Sequence, residues 1–261
     1  MKFLGIIPAR YASTRFPGKP LADMKGKPLI QRVYEQVRQS VDELCIATDD
    51  ERIATVAEAF GARVVMTSAH HRSGTDRCYE AYRKTGISCD VVINIQGDEP
   101  FIHPEQLELL KGCFEQPGVQ IATLVKPLEP DGDFEQTLFN PNLPKVVLNS
   151  RLEALYFSRS VIPYLRGREY TGWLAAHTFY RHIGLYAYQT HVLKEIVTLP
   201  PSPLEQAESL EQLRWLENGY RIQTAITHRE TLGIDTPEDL QRALKMMDEH
   251  ERVSVQGHAV N

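Results

Sequence analysis

Apolar and polar positions along this chain fall into blocks that switch between the period of a strand and that of a helix. Phe3-Leu4-Gly5-Ile6-Ile7 is an unbroken apolar run closed by Pro8, which predicts a buried strand. Ile30, Val33, Tyr34 and Val37 then share one face of a helix. Leu44-Cys45-Ile46-Ala47 predicts a second strand. Ile53, Val56, Ala57 and Phe60 predict a second helix, stopped by Gly61, and Arg63-Val64-Val65-Met66 a third strand. Residues 76–84 read as helix, 91–95 as a strongly buried strand, 104–115 as helix and 120–125 as strand. This alternation predicts an α/β protein with a mostly parallel sheet and helices on both faces.

From about residue 127 to 200 the rhythm changes. Prolines and aromatics become more frequent, and Lys145-Val146-Val147-Leu148 and Leu155-Tyr156-Phe157 are short strand-like runs. Helical spacing returns at 205–217, a strand follows at 221–226, and Leu240, Ala243, Leu244 and Met247 mark one face of a last helix. That helix has a capped start, with Thr236 as N-cap, Pro237 in the first position, and Glu238 and Asp239 in the first turn. Beyond 248 the sequence is polar and aperiodic, so 249–261 is expected to be a flexible tail.

Composition narrows the classes. A chain of 261 residues with 42% hydrophobic residues can bury a large core. Its 29 Lys and Arg against 34 Asp and Glu leave a net charge of −5, which argues against a nucleic-acid coat or a membrane-surface protein. The apolar run at the amino terminus is too short for a secretion signal, and no apolar stretch is long enough to span a membrane. Cys45, Cys78, Cys89 and Cys113 are scattered and read as reduced thiols of a cytoplasmic protein.

Against the acidic balance, the segment after the first strand is cationic. Arg10, Arg15 and Lys19 stand among Ser13, Thr14, Pro17, Gly18 and Pro20, where an α/β protein can grip a triphosphate; the other reading is a basic surface loop. The segment is neither a G-x-x-x-x-G-K-[ST] loop nor a G-x-G-x-x-G fingerprint, so its side-chain cations must do the phosphate work. Asp98, in Gln96-Gly97-Asp98-Glu99-Pro100 after the strongest strand, is either a Mg²⁺ ligand or a turn former. Asp235, just before the capped helix, is the second candidate, and together the two carboxylates would face the cations as a metal–triphosphate site.

Other motifs leave two readings open. In His71-Arg72-Ser73-Gly74-Thr75-Asp76-Arg77 the hydroxyls and arginine suit a nucleotide or sugar, or form a helix cap. Arg159 and His182 interrupt aromatic runs, either as satisfied core residues or as partners of a substrate carboxylate. Glu205, Glu208, Glu211 and Gln212 share a helix face, which on the residues alone reads as solvated.

Taken together and in order, these motifs resemble the 3-deoxy-manno-octulosonate cytidylyltransferases, the CMP-Kdo synthetases. The match runs from Ile6-Ile7-Pro8-Ala9-Arg10-Tyr11 to Lys19-Pro20. It continues through His71–Arg77, Asn94–Pro100, Tyr156-Phe157-Ser158-Arg159, Arg181-His182-Ile183-Gly184-Leu185-Tyr186, Ser202-Pro203-Leu204-Glu205 and Leu210–Arg214 to Gly233-Ile234-Asp235-Thr236-Pro237. The resemblance covers about residues 1–248 and implies a nucleotide-diphospho-sugar-transferase-like, Rossmann-like fold in one domain. Residues 1–126 and 219–248 would be the nucleotide-binding core, and 127–218 a sugar-binding and dimerisation region. It implies a homodimer that converts CTP and Kdo to CMP-Kdo and diphosphate for lipopolysaccharide biosynthesis. By the same resemblance Ala9, Arg10, Ser13, Lys19, Ser73, Thr75, Arg77 and Gln96 bind the nucleotide. Arg15, Arg159, His182, Tyr186, Glu208 and Gln212 bind the sugar, Asp98 and Asp235 hold Mg²⁺, and Lys19 serves catalysis with them. Residues 165–179 match no motif of the family and read as a dimer or pocket-rim loop. A CMP-sialate synthetase and a non-catalytic nucleotide sensor remain the rival readings.

Overall fold

β1 (Phe3–Ala9) is apolar at nearly every position because it is buried along nearly its whole length. The computed structural model describes residues 1–129 and 133–258. It divides into two compact units: residues 5–86, 95–103 and 230–261 form one, and 1–4, 87–94 and 104–229 the other. The chain passes from one unit to the other within β1.

In the first unit α1 (Leu29–Val37) buries Leu29, Ile30, Val33, Tyr34 and Val37, the stripe that the spacing predicts. β2 (Glu43–Thr48) pairs in parallel with β3 (Val64–Met66), Ile46 opposite Val64. α2 (Glu51–Ala59) is capped by Asp50, which accepts from the Arg52 N–H, and α3 (Gly74–Thr85) by Ser73, which accepts from the Asp76 N–H. Gly86, at φ 67°, closes α3 in the left-handed conformation.

In the second unit β4 (Val91–Asn94), α4 (Pro104–Gly112), β5 (Ile121–Pro127), β6 (Lys145–Leu148) and β7 (Ala154–Ser158) precede a single turn of helix, α5 (Trp173–Ala176). β8 (Tyr180–Gln189), α6 (Thr190–Ile196), α7 (Pro203–Glu208), α8 (Gln212–Glu217) and β9 (Ile222–Ile226) follow. β8 runs antiparallel to β4, β5 and β6, β6 antiparallel to β7, and β5 parallel to β9. The α/β class holds, with mixed strand pairing. Residues 104–126 and 219–229, grouped with the nucleotide core on the sequence, belong to this unit because β5 is paired on one side by β8 and on the other by β9.

Three sequence expectations change. The helix expected over 205–217 is two helices, α7 and α8, broken where Ser209 adopts a left-handed φ of 51°. The last helix, α9 (Pro237–His258), runs well past residue 249, since charged Glu and Arg residues there favour helix as much as they favour water; 259–261 lie outside the described residues. Residues 165–179 are more than a loop, because Trp173, Leu174 and Phe179 form a core cluster with Leu128 and Leu138. Among the described residues no helix is long and apolar enough to cross a membrane.

Candidate active site

The segment after β1 is fastened through Tyr11. Its carbonyl accepts from the N–H of Ser13 and of Gly18, both at 2.9 Å. The Arg52 guanidinium stacks 3.3 Å above the Tyr11 ring centroid, itself held by the Asp50 carboxylate. Gly18 sits at φ 72°, which favours glycine, and the Tyr11 ring lies 3.1 Å from where a β-carbon would lie, so a side chain there would also press on the ring.

This fastening shapes the wall of a cavity of about 310 Å³. Ala9, Arg10, Ser13, Arg15 and Lys19 line it from the segment, and His71, Arg72, Ser73 and Arg77 from the start of α3. Gln96, Gly97, Asp98 and Asp235 complete it. Of the residues expected to bind nucleotide, all but Thr75 line this cavity; Thr75 is buried on α3. Arg15, expected at the sugar, lies here as well.

Asp98 and Asp235 are brought together by backbone. The Ile234 N–H donates to the Asp98 carbonyl at 2.9 Å, and Ile234 itself is anchored in a core with Met24, Leu29, Leu240 and Ala243. Asp239 stands three residues into the α9 cap. It accepts from Thr236 N–H and Asp235 N–H, while the Thr236 hydroxyl accepts from Asp239 N–H. The Asp235 side chain is therefore not consumed by the helix start. The Lys19 ammonium lies 2.6 Å from Asp98 Oδ2 and 3.3 Å from Asp235 Oδ1, and Arg15 Nη2 is 3.0 Å from Asp235 Oδ2. Two hard oxygen donors already converge on one positive charge, the donor set that Mg²⁺ accepts alongside phosphate oxygens.

Arg77 is buried, with Nη1 donating to Thr67 Oγ1 at 2.6 Å and Nη2 3.3 Å from Asp49. Ser73 both caps α3 and lines the cavity, so the two readings of its motif coincide. His71 Nε2 pairs with Glu80. Burial raises the Glu80 carboxyl, but hydrogen bonds from Lys84, the Ser68 N–H and His71 outweigh it and hold it at about 2.

The remaining sugar candidates stand in the second unit. Arg159 is clamped by carbonyls: Nε donates to Glu208 O at 2.6 Å, Nη1 to Pro141 O at 2.9 Å and Nη2 to Ser209 O at 3.3 Å. The Glu208 carboxylate accepts from the Ser158 hydroxyl at 2.6 Å and from Arg159 N–H at 2.9 Å. His182, on β8, packs between Phe157 and Tyr186, and its Nε2 lies 3.1 Å from Thr123 Oγ1. The Thr123 hydroxyl is also 2.8 Å from the Leu185 carbonyl. Burial drives His182 down to about 3, so it is neutral at physiological pH and offers hydrogen bonds, not the charge that its place beside Arg159 in the sequence reading allowed. The expected solvated face of 205–212 is divided as well. Glu205 closes a capping box with Ser202 and pairs with Arg214, while Gln212 is buried.

Two contributors escape sequence reasoning. Tyr11 looks like an ordinary loop aromatic until Arg52 is found over it. Trp215, one turn after Gln212 on α8, stands edge-on to Tyr186 at 5.1 Å between ring centroids. Its Nε1 and Gln212 Nε2 are buried without a hydrogen-bond partner among the described residues. Orphaned buried donors are rare in native folds, and each calls for a partner.

The comparisons bear directly on this arrangement. Residues 4–224 match the model of the cytidylyltransferase family. A 3-deoxy-manno-octulosonate cytidylyltransferase of Parabacteroides distasonis is 69% identical over 247 residues, 95% of this chain and 98% of the relative. The chain belongs to the 3-deoxy-manno-octulosonate cytidylyltransferase family. A second member, from Phocaeicola vulgatus, is 64% identical over 96% of this chain and 99% of its own length. A solved family structure, CMP:2-keto-3-deoxy-manno-octonic acid synthetase complexed with CTP, superposes with a TM-score of 0.86 at 42% identity, covering 96% of this chain and all of that one. The chain is thus a nucleotidyltransferase of this family, with the family's α/β fold.

Proposed function

We propose that the protein transfers the cytidylyl group of CTP to 3-deoxy-D-manno-octulosonate, releasing diphosphate, and that the product serves lipopolysaccharide assembly. The observation that carries this reading is the convergence of Asp98 and Asp235 on one cation inside a cavity ringed by arginines. Arg10, Arg15, Arg72 and Arg77 all line that cavity, a gathering of positive charge in an acidic protein that suits a polyanionic ligand.

In the reaction the anomeric hydroxyl oxygen of the sugar bonds to the α-phosphorus, the bond from that phosphorus to the bridging oxygen breaks, and diphosphate departs. The hydroxyl proton passes to solvent. Arg10 and Lys19 neutralise the triphosphate, and Arg15 stands where the α-phosphate joins the sugar. Ser73, Arg77 and Gln96 orient the nucleotide. Preorganised positive charge of this kind supplies most of the acceleration in phosphoryl-group transfers. Asp98 and Asp235 would hold Mg²⁺, whose charge lowers the repulsion between an anionic sugar and the triphosphate. In the second unit Tyr186, Gln212 and Trp215 receive the sugar, with His182 as a neutral hydrogen-bonding partner.

The protein acts in the cytoplasm as a homodimer. The four free cysteines and the lack of a membrane-crossing helix among the described residues support the first. The exposed Leu155, Tyr164 and Tyr170 of the second unit support the second. Light scattering at micromolar concentration tests the dimer. Diphosphate release with CTP and Mg²⁺, with Kdo and N-acetylneuraminate offered in parallel, tests the reaction. Release with Kdo alone is expected. Release with neuraminate alone makes the chain a sialate-activating enzyme, and release with neither makes it a nucleotide sensor.

A further inference from the structure

Arg52 stands in the first turn of α2, outside the lining of the cavity. Its Nε and Nη2 donate to the two carboxylate oxygens of Asp50 at 2.9 and 2.6 Å, the bidentate geometry that fixes an arginine plane. Asp50 is fixed in turn, because its Oδ1 also accepts from the Arg52 N–H at 2.9 Å as the cap of α2. That helix is anchored by buried Ile53, Ala54 and Ala57. The guanidinium 3.3 Å from the Tyr11 ring centroid is therefore an extension of a rigid helix end.

Tyr11 is the point at which the cationic segment closes on itself. Its carbonyl joins the N–H groups of Ser13 and Gly18, so residues 11–18 form a closed loop that carries Arg15. Arg10 directly precedes that loop and Lys19 directly follows it. Like charges repel, so backbone must hold these three cations in place before an anion arrives. The ion pairs of Lys19 with Asp98 and of Arg15 with Asp235 help, but they lie inside the cavity, where a bound anion competes for the same cations. The stack of Arg52 on Tyr11 faces no such competition.

We infer that Arg52, clamped by Asp50, is a positioning residue for nucleotide binding: it acts through the Tyr11 ring to hold Arg10, Arg15 and Lys19 where they meet the triphosphate. Order established beforehand lowers the entropy that binding must otherwise supply. The inference rests on the triphosphate reading above and adds how the gripping segment is held from outside the site.

The competing explanation is that Arg52 attracts the nucleotide by bare charge, and the two differ in sign at Asp50. Asp50→Asn removes a negative charge, which by itself favours an anionic ligand. It also frees the guanidinium from its bidentate clamp, which weakens the positioning. Asn caps a helix as well as Asp does, so α2 stays intact.

The test uses the full-length protein and titrates CTP calorimetrically without sugar, beside thermal melts and diphosphate release with Kdo. Wild-type release tests the underlying reading on its own, and the CTP titration needs no sugar, so the two can fail separately. Arg52→Ala is expected to weaken CTP binding roughly twofold to fivefold, the scale of an exposed cation–π contact. Its melting temperature should be unchanged, since an exposed ion pair contributes little to the fold. Asp50→Asn is expected to weaken CTP binding as well. In a Tyr11→Leu background Arg52→Ala should cost nothing further, because the ring through which it acts is gone. Wild-type affinity in Arg52→Ala, equal or tighter binding by Asp50→Asn, or an undiminished loss in the Tyr11→Leu background overturns the inference. Should Tyr11→Leu fail to fold, Arg52→Ala and the sign at Asp50 decide.

Discussion

The α-carbon of Gly97 faces the carbonyl oxygen of Pro8 so closely that a β-carbon would lie 2.9 Å from it, with Ile7 and Ile30 just behind. The contact is with backbone, which cannot swing aside, and Asp98 is the next residue. Gly97→Ala is expected to cost about 1–3 kcal/mol of stability by overpacking and to lower kcat by more than that loss alone explains, because Asp98 is displaced. Thermal melts beside initial rates check both. An alanine variant with wild-type rates would show that the turn has room to relax.

Asp98→Asn and Asp235→Asn each remove a charge without changing shape. Loss of one such electrostatic contact costs roughly a hundredfold to a thousandfold in kcat. The circular dichroism spectrum should be unaltered, because α9 is capped by Thr236 and Asp239 and not by Asp235. Near-normal turnover in either variant would sink the metal assignment.

Glu80 links cavity wall to acid stability. Its folded pKa is about 2 against an ordinary 4.5. The stabilisation is therefore complete above about pH 4.5 and is lost as pH falls from there toward 2. Glu80→Gln is expected to lose about 2 kcal/mol at pH 7, after discount for the partial exposure of its partners, and less than half of that at pH 3. Urea denaturation at both values measures the gap; an equal loss at both would assign the effect to packing and not to charge.

Trp215→Phe keeps the ring against Tyr186 and deletes the orphaned donor. Relief of a buried unsatisfied N–H should raise stability by about 1 kcal/mol. KM for Kdo should rise several-fold with KM for CTP unchanged, since the sugar loses a partner. Unchanged sugar kinetics would mean that Nε1 faces water in solution.

The unbroken apolar runs of β1, β2 and β4 made those strands legible from sequence, and the Thr236 cap made the start of α9 legible. Asp235 stood out because the cap beside it was already complete. β8 was harder. Arg181, His182 and Gly184 interrupt its apolar pattern, so its length and its antiparallel pairing with three neighbours could not be read, although its aromatic residues could. The contact of Tyr11 with Arg52 and of Trp215 with Tyr186 join residues far apart in sequence, and no local period encodes them.

The hydroxyl of Thr123 settles a proton elsewhere. It has one hydrogen to give, and the Leu185 carbonyl at 2.8 Å is placed to take it. Toward His182 Nε2 the same oxygen must then accept, which assigns the imidazole proton to Nε2 and leaves Nδ1 with a bare lone pair. A neutral ring in that tautomer seeks a donor. In a sugar site such a ring would read a hydroxyl and turn away a carboxylate.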